Sequence, residues 1–461
     1  MRYLCCLLFI LSLDAESKIF NSKAIVHPAV GKDGMVVSQH YLATEAGHSI
    51  LAKGGNAYDA SIAVAFALAV VLPRAGNIGG GGFMVMFDEA TNQSYSIDYR
   101  EIAPERATKD MFLALDGSVD KKRATQGILS IGVPGTVYGM WEVHQRFGSL
   151  PWAKLLEPAI KLAEDGFAIS PFMADALNGK YKKLSQYKNF KRIFYSNYPV
   201  QMHENLMQKN LASTLKIIAA KGAQGFYQGK VANQIDRYMK NNGGLITKKD
   251  LKNYRPVWRE TIKGTYDDYE IVTMGPPSSG GIHVIQMLNI LEQYDLVSMG
   301  HNSPSYVAVL TESMKYAYAD RSKYLGDPDF FDVPTQTLIS KSYANTINQK
   351  IKLDTITSSE SILPGSAMPP ESPDTTHFSV ADSDGNVVSN TYTLNSGFGS
   401  GVVIDGTGVL MNNEMDDFVS APGIPNQFGL VGGEANKIEP FKRPLSSMTP
   451  TLVLQNGKPV Y

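Results

Sequence analysis

Residues Ala57 to Leu72 (AYDASIAVAFALAVVL) are apolar on nearly every side of a helical wheel, and Pro73 ends the run. A helix of this length falls short of a bilayer core of roughly 30 Å. A helix without a polar face does not sit at a surface. The stretch is therefore expected to be a buried core helix. Before it, Gln39 to Lys53 predicts a helix stopped by Gly54-Gly55 as a C-cap. After it come four consecutive glycines, Gly79 to Gly82, and the strand Phe83 to Phe87. The glycines do not read as a phosphate loop, because no Lys-Ser or Lys-Thr follows and they run into a strand. Close backbone packing is the expectation. A second strand, Tyr95 to Tyr99, ends at Arg100 with Glu101 beside it. From the residues alone, Arg100 is a surface ion pair or a bidentate carboxylate holder, with the former the default.

The middle of the chain alternates helices and loops. Helices are predicted from Pro134 to Phe147, from Trp152 to Glu164 with a reset at Pro158, from Asn210 to Lys221 and from Val231 to Lys240. Thr247 to Asp250 resembles a capping box. A strand is expected over Tyr269 to Met274, then an apolar helix over Ile282 to Leu291. Ser278 and Ser279 between them are read as helix caps in preference to site residues.

The segment Leu353 to Asp374 is rich in Ser, Thr and Pro and has no apolar period, so it reads as an exposed loop. It runs into Thr375-Thr376-His377-Phe378-Ser379-Val380, where apolar and polar residues alternate. Ser383-Asp384-Gly385-Asn386 is turn chemistry, and Val387 to Leu394 returns as a β-branched, aromatic strand. A threonine that opens a strand after a cleavable loop suggests self-cutting between Asp374 and Thr375. The new terminus would carry a hydroxyl and an α-amine on one residue. With a reference pKa of roughly 7.7–8.0, the amine can take the hydroxyl proton near neutral pH. An ordinary Thr-rich edge strand is the alternative.

Composition removes several chemistries. Residues 1–16 (MRYLCCLLFILSLDAE) have Arg2, an apolar run and a small-residue end, the pattern of a secretory signal peptide. A periplasmic or secreted location is the expectation. The only two cysteines, Cys5 and Cys6, lie in that leader. The mature chain would then lack disulfides, thiol nucleophiles and Cys-based zinc sites. A formal net charge of −1 over 461 residues points to neither nucleic acid nor an anionic membrane surface. There is no His-Glu-x-x-His and no Gly-x-Ser-x-Gly, and the eight histidines lack metal-ligand spacing. Neither a metal nor a cofactor is expected.

Several stretches, in order along the chain, carry a resemblance: AGNIGGGGFM (75–84), DYREIAP (98–104), GVPGTVYGM (132–140), PPSSGG (276–281) and AYADRSKYLGD (317–327). They continue with TTHFSV (375–380), TYTLN (391–395), NNEMDDF (412–418) and RPLSSMTP (443–450). Together they resemble γ-glutamyltransferases (γ-glutamyl transpeptidases) of the bacterial secreted type. The resemblance implies an α+β fold, the four-layer αββα sandwich of N-terminal-nucleophile hydrolases. It also implies a precursor that cuts itself into a large subunit (17–374) and a small one (375–461) that stay associated. By the same resemblance Thr375 is the nucleophile and Thr393 its hydrogen-bonding partner. Arg100 holds the substrate α-carboxylate, Asn395, Glu414 and Asp417 surround the α-amine, and Ser446 and Ser447 contact the carboxylate. The implied substrates are glutathione and other γ-glutamyl compounds, with amino acids or peptides as acceptors.

Two departures from the family pattern follow. Phe428 stands in the lid-like segment 419–436, where certain bacterial relatives have a tyrosine, so it is expected to shield by packing without a hydroxyl bond. Family small subunits continue past the position of Tyr461 to a Pro-Gly-Gly that forms the oxyanion hole. The expectation is thus a C-terminally truncated sandwich that is poorly soluble and turns over γ-glutamyl anilides only at background. Alternative readings are an acylase for glutaryl-type amides on the same fold, or an inactive protein that only binds glutamate.

Overall fold

The computed structural model describes residues 29–353, 355, 357, 358, 362 and 375–461. The leader at 1–16 and most of the loop before Thr375, Asp374 included, lie outside the described residues. Residues Asp33–Tyr461 form one compact unit.

The apolar run folds as the helix Ala57–Val71, and every residue in it is buried. Its start is secured by a capping box the sequence reading did not single out. Asn56 Oδ1 accepts from the Asp59 N–H at 2.9 Å, and an Asp59 carboxylate oxygen accepts from the Asn56 N–H. That carboxylate also takes the Ser149 and Leu150 N–H groups, which explains how an aspartate tolerates full burial. The helix shares one core with Tyr41–Leu51, Thr136–Phe147, Trp152–Asp165, Lys209–Lys221 and Gly229–Asn241. Trp152–Asp165 is continuous through Pro158, contrary to the expected reset. An interior proline costs about 3 kcal/mol, here offset by burial of Trp152, Leu155, Leu156, Ala159 and Ala163 along one face.

Below this helical layer lies a six-stranded antiparallel sheet. Its order is Gly34–Val37, Thr375–Asp382, Val387–Thr393, Gly81–Asp88, Gln93–Asp98 and Val257–Arg259. Gly81–Asp88 shows why the sheet is covered on both sides. Met84 and Met86 join the helical core, while Phe83, Val85 and Phe87 point the other way into a second core. Two of the four glycines belong to this strand, which is longer than the sequence suggested. The expected close packing is borne out, since a Cβ at Gly80 would lie 2.1 Å from the Thr393 carbonyl oxygen, and one at Gly82 2.4 Å from that of Thr391.

The second core is closed by a four-stranded sheet ordered Lys458–Pro459, Thr451–Gln455, Tyr269–Thr273 and Ile262–Tyr266. Val272, Met274, Met448, Leu452 and Leu454 meet Phe83, Val85 and Phe87 there. On the outer face Ile262 and Ile271 pack against Ile282 and Ile285 of the helix Gly280–Leu291. The order is helices, sheet, sheet, helices, the expected αββα sandwich. Thr375–Asp382 lies between two partners, so the edge-strand alternative does not hold.

Candidate active site

All eight residues singled out from the sequence line one cavity of about 270 Å³: Arg100, Thr375, Thr393, Asn395, Glu414, Asp417, Ser446 and Ser447. The paired strands set one end of it. Thr375 is opposite Thr393 in the register, with Thr375 Oγ1 3.4 Å from Thr393 Oγ1. Thr393 Oγ1 also accepts from the Asn395 N–H at 2.9 Å, which fixes its orientation. Asn395 takes a positive φ of 76°, a conformation asparagine tolerates better than most residues. Its side-chain amide donates to the Asn413 carbonyl at 2.9 Å, leaving the amide oxygen as the acceptor it offers the cavity.

Arg100 follows the strand Gln93–Asp98 and is fully buried, so the surface-pair reading is overturned. It lies just past the end of this strand, which is paired on both sides, and its N–H is held by Asp98 Oδ1 at 2.9 Å. Nε donates to the Pro444 carbonyl at 3.2 Å, Nη1 to Glu414 and Nη2 to Asp417. Glu101 stands 3.8 Å from Nη1, and neither of its carboxylate oxygens has a hydrogen-bond partner among the described residues. Burial works against the charge on Arg100, but Glu414, Asp417 and Glu101 outweigh it and keep the guanidinium firmly protonated. Burial raises the acids: Glu101 to about 7, Glu414 well above the ordinary range and Asp417 in the same direction.

The loop 444–448 supplies the opposite wall. Ser446 donates its N–H to the Pro277 carbonyl at 2.8 Å and accepts at its own carbonyl from the Ser279 N–H at 2.8 Å. Ser279 does not cap its helix. Its hydroxyl donates to the Ser446 carbonyl at 3.0 Å and lies 3.4 Å from Ser447 Oγ. Ser278 half fulfils the capping expectation, since its Oγ accepts from the Gly280 N–H at 3.1 Å but donates to Met448 O at 2.6 Å. Binding two distant loops together won over capping because both serines sit where those loops cross. Phe428 and Leu430 complete the wall from the lid-like segment. That segment is tied down by Asn426 Nδ2 on Asp417 Oδ1 at 3.3 Å and by the Gln427 N–H on Asp416 Oδ2 at 3.3 Å. Burial, with Asp417 beside it, pushes Asp416 up to about 7.

The sequence reading missed Tyr318 and Arg321, from the helix Pro304–Tyr324, and Thr391, Leu445, Met448 and Thr449. All six lie inside the stretches quoted above, but nothing in a single sequence says which member of a stretch turns toward a cavity. Chemically, the cavity brings together a hydroxyl pair, guanidinium groups, carboxylates and serines. It suits an amide whose far end is zwitterionic.

Comparison with known proteins follows the same lines. A family model described as Gamma-glutamyltranspeptidase matches residues 43–461. The glutathione hydrolase proenzyme of Escherichia coli is 48% identical over 436 residues, covering 94% of this chain and 75% of that protein. The crystal structure of Helicobacter pylori gamma-glutamyltranspeptidase is 45% identical with a TM-score of 0.71, over 76% of this chain and 99% of that one. Cephalosporin acylase from Bacillus halodurans is 28% identical with a TM-score of 0.81, over 96% of this chain and 80% of that one.

Proposed function

The chain belongs to the gamma-glutamyltranspeptidase family, and on that premise we propose that it cuts itself before Thr375 and then transfers or hydrolyses γ-glutamyl groups, with glutathione as a donor. The reading rests on one observation: the Thr375 hydroxyl shares a cavity with the Arg100–Glu414–Asp417 cluster.

In self-cutting, Thr375 Oγ attacks the carbonyl carbon of residue 374. The C–N bond breaks as the ester forms, which frees the α-amine of Thr375, and water then cleaves the ester to give the carboxylate of residue 374 and the restored Thr375 hydroxyl. In turnover that amine takes the hydroxyl proton while Oγ attacks the γ-carbonyl of the substrate. The leaving amine departs with a proton, and a γ-glutamyl ester remains on Thr375. Water then gives glutamate, or the amine of an amino acid or peptide gives a new γ-glutamyl amide. Thr393 orients the attacking oxygen. Arg100, Ser446 and Ser447 take the α-carboxylate, and Glu414, Asp417 and the Asn395 amide oxygen take the α-ammonium. Holding the zwitterionic end leaves the scissile amide over the hydroxyl, so orientation supplies much of the rate. Residues 1–16 are proposed as an export signal, on the pattern of Arg2 and the apolar run, which gives a periplasmic or secreted product.

The likeness to a cephalosporin acylase keeps one second reading, a glutaryl acylase, in which the acids would have no ammonium to meet. Hydrolysis of γ-glutamyl and glutaryl anilides separates the two. The γ-glutamyl substrate should be strongly preferred, and Asp417→Ala should reduce kcat/KM for it by about tenfold to a hundredfold more than for the glutaryl one. Equal losses would make Asp417 a structural residue. N-terminal sequencing of the smaller product should read Thr-Thr-His-Phe, and Thr375→Ala should leave the chain uncut.

A further inference from the structure

Arg321, near the end of the helix Pro304–Tyr324, is 4% exposed and lines the same cavity. The other buried arginines, Arg100 and Arg443, and the part-buried Arg259 each pair with at least one carboxylate. Arg321 has no ion pair among the described residues. Its one side-chain hydrogen bond there runs from Nε to Ser279 Oγ at 3.2 Å. Desolvation lowers its pKa to about 10, with Asp417 and Tyr318 on one side of the balance and Arg100 on the other. His283, whose ring lies 5.0 Å from that of Tyr318, is kept neutral by burial and by Arg321. No nearby group therefore fully neutralises this guanidinium.

A buried cation without an anion is costly unless a ligand supplies one. The position of Arg321 indicates which. Ser279, its hydrogen-bond partner, touches both Ser446 and Ser447, the serines read above as carboxylate ligands. Arg100, by contrast, already spends its charge on Glu414 and Asp417. We propose that Arg321 is a second substrate-binding cation, and that with Ser446 and Ser447 it makes the site select a carboxylate at the α-position. This deepens the reading given under Proposed function and rests on it. Its location in the last turn of a helix also suits a purely structural cation that complements the terminal carbonyls, and the experiment distinguishes the two.

Calorimetry on the full chain measures binding of L-glutamate and of isoglutamine, in which the α-carboxylate is an uncharged amide. Binding needs no turnover. Arg321→Met should weaken glutamate by about tenfold to a hundredfold, while isoglutamine shifts by about twofold at most. Arg321→Lys, which keeps the charge and loses the fork, should fall between. If Arg321→Met does not fold, the Lys variant decides, since the glutamate-to-isoglutamine ratio should still drop. An unchanged ratio in the substituted proteins, with γ-glutamyl turnover intact in the wild type, overturns the role of Arg321 and leaves the proposed function standing. A wild type that binds no glutamate overturns both.

Discussion

Three carboxylates, Glu101, Glu414 and Asp417, crowd the guanidinium of Arg100 in a buried pocket. Even with Arg321 lining the same cavity, two guanidinium groups do not balance three carboxylates, and burial favours the protonated acids, so the folded pocket should keep protons that the unfolded chain would lose. Glu101 shows this most clearly, because burial raises it from 4.5 to about 7 and its oxygens lack hydrogen-bond partners among the described residues. A raised carboxyl contributes stability that is complete below its unfolded pKa and is lost as pH rises through its folded one. Glu101→Gln removes that titration. The unfolding free energy of the variant relative to wild type should therefore increase between pH 4.5 and 8, by on the order of 3 kcal/mol. Urea unfolding at the two pH values checks it, and a pH-independent difference would mean that Glu101 is ionised throughout. Asp416, also raised to about 7, should add a slope of the same sign.

The strand Gly81–Asp88 is the element on which the layers depend. Its odd residues Phe83, Val85 and Phe87 face one core and its even residues Met84 and Met86 the other. Both faces are therefore apolar and no polar alternation survives, as in any strand covered on two sides. Phe83 is fully buried between the sheets, and Phe83→Ala should cost about 3–5 kcal/mol by loss of burial plus a cavity. Chemical denaturation measures the shift; a loss below about 1 kcal/mol would mean the inter-sheet space collapses to fill the gap. The glycines that open this strand do a different job. They let the Thr393 and Thr391 carbonyls approach to distances that no side chain permits, which sets the strand bearing Thr393 beside the rest of the site.

For the whole molecule, the central position of Thr375–Asp382 and Val387–Thr393 has a consequence for the processed form. These strands are hydrogen-bonded to Gly34–Val37 on one side and Gly81–Asp88 on the other, and Phe378, Val380 and Val388 sit in the helical core. Cleavage before Thr375 would leave that pairing and burial untouched. The piece beginning at Thr375 should therefore co-elute with the larger piece on native size exclusion and separate from it only in denaturant. Dissociation under native conditions would contradict the central placement of the hairpin.

The buried helix, the hairpin, the strand after the glycines and the Thr247–Asp250 capping box were readable from residues 57–72, 375–394, 79–87 and 247–250, because each depends on local periodicity or turn chemistry. The resemblance also named Thr375, Thr393, Arg100 and the acids as members of one site. What local pattern could not decide is which side of an element faces inward once layers stack. Arg100 looked like a surface residue at a strand end until Pro444 and the segment 412–418 closed over it. Ser279 looked like a cap until the 444–448 loop crossed its helix. Arg321 was only one member of the stretch 317–327, and it took the folded helix Pro304–Tyr324 to bring it to Ser279 and the cavity. Periodicity and turn chemistry act over a few residues and are written in the chain. Burial and charge balance are set by contacts hundreds of residues apart, and those exist only in the folded sandwich.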